Sequence, residues 1–134
     1  MTYWLKLWGS GKGRYQPLPT DHLTFGKGGK PGVESGDRLV ILGVGTNGKL
    51  LAIATATSGI TLPGTSPDQP YRCASRLDLV CGNVDRAPAY TVIPGADQLR
   101  QWLKTPADHR TVSEEQFLAA EAAVLAAGGK APGA

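Results

Sequence analysis

Thiol and imidazole are scarce in this chain: two cysteines, Cys73 and Cys81, and two histidines, His22 and His109. The cysteines have neither metal-site spacing nor the density of a disulfide scaffold. On one continuous strand they would share a face yet lie roughly 26 Å apart, too far to bridge. They are expected to be small buried hydrophobes. Neither histidine has a helix-spaced partner, so zinc would need ligands from far apart in sequence. Both read as surface or capping residues. No run of about 18 apolar residues could span a membrane. The opening MTYWLKLWGSGKG lacks the basic region, apolar run and cleavage site of a signal peptide. A reducing cytoplasm of bacterial type is the expected compartment. No serine stands in a G-x-S-x-G elbow, and no acid–base or metal constellation is visible. A non-enzymatic domain without a cofactor is expected.

What is present is a 134-residue chain, 41% hydrophobic, enough for the core of one domain. Net charge is +3 and the pI about 9.0. The bias is uneven. Lys6, Lys12, Arg14, Lys27, Lys30, Arg38 and Lys49 precede the midpoint against Asp21, Glu34 and Asp37. Acids gather later, at Glu114, Glu115 and Glu121 among others. A basic half on a small domain favours a polyanionic partner.

TYWLKLW suits a strand, with Tyr3, Leu5 and Leu7 on one face and Trp4, Lys6 and Trp8 on the other. The glycines and prolines of the following segment, from Gly9 to Gly32, argue for a long connection or a hidden short element. Ser35-Gly36-Asp37 reads as a turn, and Arg38–Val44 and Leu50–Thr57 read as short strands. The stretch from Tyr71 to Gly82 reads as another strand, with Tyr71, Cys73, Ser75, Leu77 and Leu79 on one face. A short extended run is expected at Tyr90–Ile93. A helix follows over Ala96–Lys104, stopped by Pro106. Ser113-Glu114-Glu115-Gln116 is a capping box opening a helix to about Ala127, with Phe117, Val124 and Leu125 on its apolar face. Glu121 falls in the middle of that face, so it needs a rim position or an arginine partner. Residues 1–127 form the expected single domain and 128–134 a flexible tail. The sum is a small α+β domain: a mostly antiparallel β-barrel with peripheral helices.

The stretch GVGTNGKL, Gly43–Leu50, matches G-x-G-x-x-G. A phosphate loop needs a helix behind it, whose N-terminus presents free amides to the anion. Here a second β-rich run follows, and Leu50 stands where the magnesium-holding hydroxyl would be. Asn47-Gly48 between two aliphatic runs is instead a hairpin signal.

Five pieces follow in order: YWLKL, SGDRLVILGVG, LLAIATATS, RLDLVCG and DHRTVSEEQFLAAEAAV. Together they resemble the EVE family of the PUA-like superfamily. Gly36-Asp37 and Ala52-Ile53-Ala54 with Ser58 are the best pieces. EVE proteins typically continue the first strand with Lys-Ser-Glu-Pro, where this chain has Lys6-Leu7-Trp8-Gly9-Ser10. The resemblance implies a small PUA-like β-barrel that binds DNA or RNA, often reading a modified base of the modified-cytosine class in an aromatic-lined pocket. Unstacking a base costs a few kcal/mol, which ring stacking and edge hydrogen bonds offset.

The Gly9–Gly32 segment interleaves cations with rings, as a nucleic-acid groove requires. On that framework Trp4, Trp8, Tyr15 and Phe25 are the expected base-binding residues, and Lys12, Arg14, Lys27 and Lys30 the expected phosphate contacts. Two other classes stay open: a small-molecule or nucleotide-binding regulator using the same barrel mouth, and a protein-interaction module.

Overall fold

The structure is a computed structural model describing residues 1–9, 18–26, 28–44, 48–61, 63–64 and 66–133. Six strands form one sheet: β1 (Tyr3–Trp8), β2 (His22–Phe25), β3 (Arg38–Gly43), β4 (Lys49–Ala56), β5 (Tyr71–Val80) and β6 (His109–Val112). Their spatial order is β2-β5-β4-β3-β1-β6. Only β1 and β3 run parallel; the other neighbours are antiparallel. Two helices, α1 (Ala96–Leu103) and α2 (Glu114–Ala126), lie outside the sheet.

Central β3 is an unbroken aliphatic run because both its faces are covered. Leu5, Val40, Leu42, Leu50 and Ile53 point outward and meet Leu99 of α1 and Phe117, Ala120 and Val124 of α2. Trp4, Leu39, Ile41, Ala52, Ala54 and Cys73 point the other way, with Leu23 and Phe25 of β2. This second core is the inside of a curl. Phe25 on edge strand β2 lies 5.4 Å, centroid to centroid, from His109 on the opposite edge strand β6. The architecture is a half-barrel wrapped round its inner core.

Two bulges help to bend the sheet. Leu51 is the extra residue where β4 pairs with β3. Asp78 is the extra residue where β5 pairs with β4. The second bulge overturns the single-face reading of β5. Tyr71, Cys73 and Leu77 join the inner core, whereas Leu79 and Cys81 join the outer one. The two cysteines are therefore buried in different cores.

Helix α2 starts as the capping box requires: the Ser113 hydroxyl accepts from the Gln116 N–H and the Gln116 side chain accepts from the Ser113 N–H. Its apolar face is Phe117, Ala120 and Val124, not Leu125, which is 52% exposed. Leu125 lies about 100° round the helix from Val124, past the contact stripe. Glu121 sits at the rim and pairs with Arg38 at 3.0 Å. The Tyr90–Ile93 stretch is a 3-10 turn over Tyr90–Val92 and not extended. The Tyr90 N–H bonds the Gly48 carbonyl and its ring packs on Gly48, where a Cβ would come within 2.5 Å of it. Gly43 ends β3, and Gly48, at φ 74°, stands immediately before β4. No helix follows the glycine motif; its Asn47 lies outside the described residues. Beyond α2, Lys130 exchanges two backbone hydrogen bonds with Val80. No helix among the described residues is long and apolar enough to cross a membrane.

Candidate functional site at the strand seam

The edges of the half-barrel meet through side chains. Lys6 sits on β1 between Trp4 and Trp8, and alternation turns all three inward. Its side chain is 3% exposed. The ammonium donates to the Leu7 carbonyl at 2.6 Å and to Asp108 Oδ2 at 3.3 Å, and it lies 5.1 Å from the Phe25 ring centroid. Among the described residues its third N–H has no acceptor.

Asp108, at the entry to β6, ties three pieces of chain together. Its carbonyl accepts the Leu7 N–H, and Oδ2 accepts the Gly26 N–H at 2.9 Å. Oδ1 lies 2.8 Å from His109 Nδ1. Burial pushes the Asp108 carboxyl up, but the His109 hydrogen bond, the Lys6 charge and the Gly26 N–H outweigh it and hold its pKa down to about 2. An ionised carboxylate only accepts, so His109 Nδ1 carries the proton. Burial pushes the Lys6 ammonium pKa down, and Asp108 opposes that shift. A Cβ at Gly26 would lie in ordinary van der Waals contact, 3.4 Å from Asp108 Oδ2 and 3.5 Å from Gln69 Nε2, so what this position gives the seam is its backbone N–H.

Rings surround this charged pair. His109 lies 5.9 Å from Trp4 and meets Phe25 edge-on. Trp4 is in turn fixed by Asp37, which accepts its indole N–H at 3.1 Å and the backbone N–H groups of Thr2 and Glu34. The Gly36-Asp37 pair thus acts locally: Gly36, at φ 93°, makes the turn, and Asp37 fastens it to β1.

Of the residues expected to bind a base, Trp4 is 8% exposed and Phe25 fully buried, both in the inner core. Trp8 is half-buried against the same core. Lys30 is exposed. Tyr15, Lys12, Arg14 and Lys27 lie outside the described residues. The structure adds Lys6, Asp108 and His109, none of which was expected at a site. His109 is not the surface or capping residue its sequence context suggests; its side chain is 17% exposed, between ring and carboxylate. One signal was legible: a lysine alternating with two tryptophans on an inward face. Its partner, 102 positions away, carried none.

A second polar group lies on the outer face. Arg38 bonds Asp78 and Glu121 and stacks over Phe117, 4.8 Å from the ring centroid. Burial raises the Asp78 carboxyl, but Thr55, Arg76 and Arg38 together bring it below its ordinary value. These contacts clamp α2 to the sheet. Among the described residues no group of three or more histidine, cysteine, aspartate or glutamate side chains could hold a metal ion. Cys73, beside Lys6 in the inner core, has its thiol pushed up to about 11 by burial. It is a poor nucleophile there. In comparisons with known proteins, no family model matches this chain, and no curated protein matches it.

Proposed function

We propose that this chain is a nucleic-acid-binding domain that takes an unstacked base at the seam, with the basic Gly9–Gly32 segment on the phosphates. One observation carries the reading: a buried donor and an ionised acceptor, Lys6 and Asp108, stand among aromatic rings where that segment leaves and rejoins the sheet. Base edges present donors beside acceptors. Asp108 is suited to accept from an exocyclic amino group, as carboxylates do from cytosine N4, and the third Lys6 N–H to donate to a ring nitrogen or carbonyl. Trp8 and His109 are the rings at the seam that reach solvent, and stacking on such a ring is worth about 1–3 kcal/mol per base. The resemblance to the EVE family supports the same reading and suggests a modified cytosine as the base.

The test is a titration with oligonucleotides carrying modified or unmodified cytosine, followed by tryptophan fluorescence at two salt concentrations. Binding that weakens with salt and prefers one base is the expected result. Absence of binding at low salt ends the proposal. A salt slope without base preference removes the base-reading half and leaves a generic binder.

A further inference from the structure

The Asp78 bulge has a second effect. Leu77 and Val80 are three residues apart, so a regular strand would place them on opposite faces. The extra residue puts both on the inner-core side, where they are half-buried. There they form the floor of an open groove of about 650 Å³, away from the Lys6 seam, together with Leu18. The tail beyond α2 forms the far wall, with Ala131 and Pro132 facing in. That wall is built: Gly128 turns the chain at φ 91°, and Gly129 packs so tightly that a Cβ would fall 2.6 Å from Val124 Cγ1. Lys130 is then held by its paired backbone bonds to Val80. Arg86 and Lys130 are the charged residues among the described lining, which holds no aspartate or glutamate.

We infer that this groove binds a small amphipathic anion, its apolar body on Leu18, Leu77 and Val80 and its charged end between Arg86 and Lys130. The volume falls within the range of small-molecule sites, about 300–1,000 Å³. Two cations without a counter-acid select an anionic head. An apolar floor selects a hydrocarbon or aromatic body. Uncharged lipophiles lack the first contact and polyphosphates the second. The inference does not depend on nucleic-acid binding.

The probe is 1-anilinonaphthalene-8-sulfonate, titrated into the full chain, with uncharged N-phenyl-1-naphthylamine as control. One saturable site with blue-shifted emission is expected. Arg86→Glu with Lys130→Glu changes two exposed side chains, so the fold should survive, checked by an unchanged melting curve. This double variant should weaken the sulfonate about tenfold and leave the neutral probe unchanged. Leu77→Trp, which fills the floor, should weaken both. Non-saturating binding, or a double variant that binds the sulfonate like the parent, overturns the inference. So does displacement of the sulfonate by an oligonucleotide that depends on Arg86 and Lys130, which would give the groove to nucleic acid instead.

Discussion

Leu5 and Lys6 are adjacent on β1, yet they enter two cores of different kinds. Leu5 points outward into a layer that two helices cover, where charged residues such as Arg38 and Glu121 stay at the rim. Lys6 points inward beside the gap where, among the described residues, no ladder of backbone bonds joins β2 to β6; its partner Asp108 crosses that gap by accepting the Gly26 N–H just past β2. An element whose backbone groups are already paired can be covered by apolar packing alone. A seam between two strand edges presents unpaired polar backbone, as at Gly26, and needs a polar side chain to meet it. The proposed function rests on these same residues, Lys6 and Asp108, that close the seam.

Three experiments would break or sharpen this contrast. The largest effect is expected in the outer core. Phe117 is fully buried, with its ring 4.8 Å from Tyr3. Phe117→Ala should cost about 3–5 kcal/mol of unfolding free energy, measured by urea denaturation, from lost transfer energy and the cavity left behind. A loss below about 1 kcal/mol would mean that α2 does not hold this face.

The seam comes next. Asp108→Ala strands a buried ammonium and should cost about 3 kcal/mol. Adding Lys6→Met removes the stranded charge, so the double variant should be more stable than Asp108→Ala alone by at least about 1 kcal/mol. Additive losses would show that the two side chains do not act as a pair.

The smallest effect is in pH. Asp108 titrates near pH 2 in the folded chain against an ordinary value of 3.8. Its pKa is depressed on folding, so its contribution is full above the unfolded value. It is lost as pH falls from about 5 toward 2, by about 2 kcal/mol after allowing for partial exposure. Denaturation curves across that window should show the step in the parent and not in Asp108→Asn. The acid-dependent part contributed by Asp78 on the outer face should persist in both.

The two cores also differ in how far they could be read in advance. Strands β1, β3, β4 and β5 and both helices follow from period, turn residues and a capping box, and together they form most of the outer core. The strands that the sequence pattern does not mark are β2 and β6, each of four residues, too short for alternation to register. They are the edges that make the seam. Hence Trp4, Trp8 and Phe25 could be picked out by residue type, while Lys6, Asp108 and His109 could not be joined. The β5 bulge was equally silent, since one extra residue leaves no mark on composition.

The amino-acid sequence by itself determined the class of fold, the inward face of β1, the start of α2 and the replacement of a phosphate loop by a hairpin. Each depends on residues within a turn or two of one another, where spacing and backbone preference act directly. Tertiary structure alone decided that β2 and β6 meet, that Asp108 answers Lys6, and that Leu77 and Val80 share a groove floor. Those outcomes depend on sheet curl and on partners brought together across the chain, which no local preference encodes.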